Sequence, residues 1–296
     1  MNCNVPIASM AIATALSAAQ ADPAYGTNAI PDFNSRAYAQ DFLDGGVMLN
    51  ETLLFLGEDD AAPLVFKADE ILSVRSYGLD VAYDEGKDWA FDKGKNLLRR
   101  APGSRIPCFT EAEFYPDEPA PGVQTFGCTL PGRKKVLFGE RDIFTSRQVA
   151  VTYRHHDTWT GPAAHDESAA FAPLLALLKN GRPATAVYAA KTSEMIDKIR
   201  LAGDPAILLV PPMIPNAEVD WVYRHQPEFE GALKELVGKY RAQGATIGYA
   251  NVTSVYAAVL ARKRFRDMTG NNVNHCNDFS ARIYSSVVLR SLLGAE

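Results

Sequence analysis

The sequence predicts two regions, an antiparallel β-sandwich or jelly roll over residues 30–155 and an α/β domain over residues 171–296, with a linker at 156–170. Three observations carry this reading. From Val47 to about Tyr153, short apolar or alternating runs follow one another, punctuated by Gly, Asp and Pro. After HHDTWTGPAAHDES the pattern changes to helices alternating with short apolar strands, the grammar of a parallel sheet covered on both faces. The 296 residues also suit two cores of about 100 to 200 residues each.

Taken in order, VMLNETLLFLG, APLVFK, ILSVRS, GLDVAYD, DWAFD, NLLRR, KVLFG and QVAVTYR read as strands, because their alternation and β-branched content suit a half-buried pleated surface. Asp84-Glu85-Gly86-Lys87 and Asp92-Lys93-Gly94-Lys95 read as hairpin turns between them. No helix-period segment of useful length interrupts the series, which points to antiparallel pairing. Beyond the linker, FAPLLALLKNG is a helix ended by Gly181, TAVYA a buried strand, and TSEMIDKIRLAG a helix capped by Thr192 or Ser193 and stopped by Gly203. AILLVPP follows as a second buried strand. PEFEGALKELVGKYRAQG is amphipathic, with Phe229, Leu233, Leu236, Val237 and Tyr240 spaced three and four apart. ATIGYANV is a third strand, and VYAAVLARKR and FSARIYSSVVLRSLL are the closing helices.

Composition excludes several function classes. Apolar residues make up 47% of the chain and charged residues 22%, enough to fill cores. A net charge of -5 with scattered basic residues offers no cationic stripe for a phosphate backbone, so nucleic acid is not an expected partner. Arg133-Lys134-Lys135 follows Leu-Pro-Gly and reads as a solvated turn. Residues 1–21 have the form of a secretory signal, apolar and closing on Ala19-Gln20-Ala21, though no Lys or Arg precedes the apolar run. The expected location is extracytoplasmic or secreted; a mis-called start codon is the second reading and leaves the protein cytoplasmic. No other stretch is apolar for long enough to span a membrane. The four cysteines form no Cys-x-x-Cys pair, and no metal or cofactor is expected. Cys108 and Cys128 bracket a Pro-rich loop and are read either as a disulfide or as two free thiols.

One stretch carries chemistry. In TGNNVNHCNDFSARIY, residues 269–284, a histidine stands among asparagines just ahead of a helix. GNNVNHCNDFSARIYSSVVLRSLL, with AILLVPPMIPNAEVDWVYRHQ upstream, resembles the C-terminal half of SGNH (GDSL-like) hydrolases. The resemblance covers roughly residues 171–296. More weakly, PGSRIP and LPGRKKVLFGERDIFTSRQVAVTYRH resemble the β-rich domain that some bacterial members carry ahead of the hydrolase. It implies a shortened flavodoxin-like three-layer fold acting on a small-molecule ester or an acylated carbohydrate, with no cofactor. It also implies His275 as the general base, Asn272 in the orienting position three residues before it, and Trp221 in the cleft-lining loop as a substrate contact. Asp278 falls in the same block and is expected to cap the last helix.

The rest of that machinery is missing from the sequence. Ester cleavage by a hydroxyl needs a base within hydrogen-bond reach, a group that fixes the tautomer, and donors for the oxyanion. The Gly-Asp-Ser turn and the Gly-x-Asn-Asp block that supply the nucleophile and donors in the family do not occur in the chain. Three parallel strands are expected where a flavodoxin-like sheet has about five. Thr192 and Ser193 read as caps, Cys276 as a buried or half-buried thiol, and His155, His156, His165 and His225 as surface histidines, with His156 or His225 the candidates to face the cleft. Trp89, Tyr115 and Trp159 read as packing residues with a secondary option of sugar stacking. Three functions follow as expectations: an ester hydrolase impaired or inactive as it stands, a non-catalytic binding module of the same descent, or an internally truncated hydrolase.

Overall fold

The structure, a computed structural model, describes residues 45–140, 142–164, 185–186, 192–203, 205–220 and 226–294. The proposed signal at 1–21, the helix FAPLLALLKNG, Trp221, His165 and His225 lie outside the described residues.

The N-terminal region is β-rich. Its main sheet has five strands in the order β4 (Ala82–Tyr83), β3 (Ala68–Ser76), β10 (Gln148–His155), β1 (Val47–Leu56) and β7 (Cys108–Phe109). Its pairings are antiparallel except β1 with β7. A second sheet orders β2 (Ala61–Pro63), β6 (Leu97–Arg100) and β5 (Trp89–Asp92), and β8 (Thr125–Gly127) pairs with β9 (Lys135–Leu137). Among the described residues a short α-helix, α1 (Glu111–Phe114), and a single 3-10 turn at Thr145–Arg147 interrupt the strands, and α1 is held by a reciprocal Thr110–Glu113 capping box.

The period of two along β1 explains why the sheet is covered on both faces. Leu53 and Phe55 join the main core with Ala62, Leu64, Trp89 and Leu98, whereas Leu54 between them packs with Phe109, Phe114, Phe144 and Val273. A bulge between Met48 and Glu51, with Asn50 at φ 46°, re-aims the strand's start. Residues 92–95 form the expected hairpin turn between β5 and β6. Residues 84–87 do not. The Asp84 carbonyl collects the N–H groups of Lys87 and Asp88 and turns the chain from the five-stranded sheet to the three-stranded one.

The C-terminal region is α/β. β11 (Thr185–Ala186), β12 (Ile207–Leu209) and β13 (Ile247–Tyr249) pair in parallel in that order. Alternation again assigns the faces. Ile207, Leu209, Ile247 and Tyr249 pack with Ile196 of α2 (Thr192–Leu201) and with Leu233, Val237 and Tyr240 of α3 (Gln226–Arg241). Leu208 belongs to the main core with α4 (Val252–Leu260) and α5 (Asp278–Leu293). That core runs without a break from Met48 to Val287, so residues of both regions bury the same apolar surface. The described part of the linker is packed as well: Ala163 O accepts from the Asn251 amide, and Arg262 lies 5.0 Å over the Trp159 ring.

Two readings of single residues are corrected, and one open alternative is decided. His155 is 2% exposed and stacks flat on Phe66, because β10 keeps its alternation through its last residue. Asn277, not Asp278, caps α5, its side-chain oxygen accepting from Ser280 N–H at 3.1 Å. Cys108 and Cys128 are free thiols, the former paired through its backbone with Phe55 and the latter bridged to Val219.

Candidate functional site: the His275 loop and the groove beside it

The loop between Met268 and α5 is built from its own polar side chains. Thr269 and Cys276 close it as an antiparallel bridge, and Gly270 N–H donates to His275 O. A Cβ at Gly270 would approach Cys276 O to 3.2 Å, so the closure needs a small residue there. Inside, the Asn271 side-chain oxygen accepts the backbone N–H groups of Val273, Asn274 and His275 at 2.9, 3.0 and 3.0 Å. One buried amide thereby replaces the backbone partners that a loop lacks.

Asn272 takes a left-handed conformation, φ 64°, which Asn tolerates better than most residues. Its amide donates to Leu137 O of β9 at 2.9 Å, and its backbone carbonyl receives the Asn216 amide at 2.9 Å. Asn272 is 1% exposed and fastens the loop to the β-rich region. The residue at the imidazole is Glu140, whose Oε2 lies 3.2 Å from His275 Nδ1 and whose Oε1 receives the Asn271 amide at 3.3 Å. Glu140 stands 135 positions upstream, in a turn with no local sequence signal, and pattern reading missed it. The carboxylate that hydrogen-bonds the His275 ring thus comes from the β-rich region.

Both members of the pair are open to solvent, with side chains 59% and 51% exposed for His275 and Glu140. With Nδ1–H donated to the carboxylate, Nε2 is left as an accessible base. Among the described residues no hydroxyl or thiol hydrogen-bonds the ring. Cys276 turns away, its Sγ 3.4 Å from Met213 Sδ, and burial pushes its thiol up to about 11, which keeps it protonated. Ser193 is engaged on α3: its Oγ is 2.7 Å from the Tyr240 hydroxyl and 3.4 Å from Lys239 Nζ.

Glu140 also lines a groove of about 640 Å³. Its apolar lining comes from the end of β7, from α1, from the Pro-rich loop after it, and from β9 and the turn beyond, including Phe109, Ala112, Pro116, Val123, Leu137 and Ile143. Glu113, Glu118 and Glu140 contribute carboxylates, and Arg147 a guanidinium that lies 4.2 Å over Phe109. The aromatic residues weighed for sugar stacking lie in packing contacts. Trp89 is 5% exposed, Tyr115 lies under Arg133 while its hydroxyl donates to Glu218, and Trp159 lies under Arg262. Among the described residues no group of three His, Cys, Asp or Glu is placed to hold a metal ion, and no helix is long and apolar enough to cross a membrane.

No family model matches the chain. No curated protein and no solved structure matches it at a significant level either. The site is accordingly read from its own geometry.

Proposed function

We propose that the chain is an SGNH-type ester hydrolase by descent. In this reading the β-rich region is an antiparallel sandwich and the α/β region a shortened flavodoxin-like layer, acting on a small-molecule ester or acylated carbohydrate outside the cytoplasm. Turnover in the chain as it stands is slow or absent. The observation that carries the proposal is the Glu140 carboxylate 3.2 Å from His275 Nδ1. A carboxylate there holds the tautomer that presents Nε2 as a base and stabilises the imidazolium formed when a proton is taken. Impairment is supported by the absence of a hydroxyl hydrogen-bonded to that ring among the described residues.

The test is hydrolysis of short-chain aryl esters by the wild-type chain, His275→Ala and Glu140→Gln. A weak wild-type rate should fall about a hundredfold in His275→Ala and by a smaller factor in Glu140→Gln, the range general base catalysis commonly supplies. A rate that survives His275→Ala unchanged excludes the reading. The non-catalytic module is the second reading, favoured by the same lack of a hydroxyl; a well-folded protein with no turnover selects it. The internally truncated hydrolase is favoured by the short span between Ala186 of β11 and Thr192 of α2, too short for a nucleophile turn, oxyanion donors and another strand.

A further inference from the structure

We propose that the groove beside Glu140 is an acyl site, which takes an uncharged aliphatic or aryl acyl group of medium length and delivers its carbonyl to His275. This deepens the ester-hydrolase reading and rests on it. Continuity is the first argument: Glu140 both lines the groove and hydrogen-bonds the His275 ring, so one side chain links the groove wall to the imidazole. Size is the second, since about 640 Å³ falls within the range of about 300 to 1,000 Å³ typical of small-molecule pockets.

Charge decides the occupant. Of the charged groups lining the groove, Arg147 is already committed, over Phe109 and 3.7 Å from Glu113. Three carboxylates, Glu113, Glu118 and Glu140, line the groove against one guanidinium, and with Arg147 on Glu113 and His275 on Glu140 no spare cation is left in the lining, which disfavours a fatty acid, a phosphate or a sulfated sugar. Both rings in the lining are engaged in packing, Phe109 under Arg147 and the half-buried Phe138 edge to face with Phe126 at 5.0 Å, and the other apolar walls are aliphatic or proline. An uncharged chain loses nothing to these carboxylates and gains from leaving water. Pro116, Pro119 and Pro121 stiffen the loop on one side, so the cost of ordering that wall is met before a ligand arrives.

The test uses two uncoupled readouts. Binding of N-methyl octanamide, an uncharged and non-hydrolysable probe, is measured by calorimetry on the wild-type chain, Val123→Glu and Ile143→Glu, beside binding of octanoate. Val123 and Ile143 are 40% and 39% exposed, so a new carboxylate at either place charges the groove without disturbing the core. The amide should bind, octanoate should bind at least about tenfold more weakly, and each variant should lose about tenfold in amide affinity. Hydrolysis of octanoyl and acetyl 4-nitrophenyl esters is measured in parallel, and the octanoyl ester should be preferred at the level of kcat/KM. Amide binding that the two variants weaken upholds the acyl site even if no ester is cleaved; in that case the hydrolase reading fails alone. An amide that does not bind, or binds both variants as well as the wild type, overturns the acyl site. So does His275-dependent hydrolysis indifferent to acyl length, which leaves the hydrolase reading standing.

Discussion

His155 ends β10 with its ring 4.2 Å from that of Phe66 and the two planes within 3°. Its Nδ1–H donates to Asp157 O at 3.1 Å, which leaves Nε2 buried without a partner among the described residues. Burial lowers its pKa from the ordinary histidine value. Because the folded value lies below the unfolded one, the folded chain binds fewer protons, and stability falls as pH drops from about 6.5 toward the folded value. We expect His155→Phe to lose less stability than the wild type between about pH 8 and about pH 5.5, read as urea midpoints. Equal losses would show that this ring does not govern the acid response. Asp88, hydrogen-bonded by Arg105, and Asp267, where Arg264, Lys263 and Arg266 outweigh the penalty of burial, are both held below the ordinary carboxylate range. Their contributions fade only below about pH 4, outside the histidine window.

At the scale of the element, the start of α5 shows one side chain joining two regions. Asn277 caps the helix through its oxygen, and its amide donates to Thr52 Oγ1, Asp267 O and Gln148 Oε1 at 2.9, 2.9 and 3.1 Å. Thr52 and Gln148 belong to β1 and β10, so the cap also ties the helix to the middle of the main sheet. Asn277→Ala removes the cap, worth about 1 kcal/mol, and strips a donor from buried acceptors; a total loss of about 2 to 4 kcal/mol is expected. Asn277→Ser keeps a capping oxygen without the amide reach and should recover about 1 kcal/mol of that. If both variants match the wild type in denaturant melts, the tie is idle.

Across the whole molecule, the two regions are joined by a buried ion pair. Lys263 Nζ lies 2.6 Å from Glu51 Oε1 with both side chains fully buried, and donates to Thr52 O at 2.8 Å. Tyr153 donates to the other Glu51 oxygen at 2.6 Å, and Val65 N–H also reaches the carboxylate. Breaking such a pair leaves one buried charge alone, so Lys263→Met should cost about 3 to 5 kcal/mol, whereas adding Glu51→Gln removes the stranded charge and should restore part of it. Because one core holds both regions, probes in the β-rich part and in α5 should report the same unfolding midpoint for each variant. Strictly additive losses would mean that Glu51 and Lys263 act independently. The sequence by itself determined what neighbouring residues encode. The run of strands before Arg154, the parallel strands and helices after Thr185, the 92–95 hairpin and the stop at Gly203 follow from apolar periodicity and turn chemistry, which are local. It also singled out His275, as a lone imidazole ahead of a capped helix. Only the tertiary structure decided what that imidazole meets. Glu140 at its Nδ1, Asn272 spent on β9, Asn277 spanning to Thr52 and the burial of His155 all rest on pairings in space. The first three join residues more than a hundred positions apart, and no periodicity within a segment specifies its distant partner.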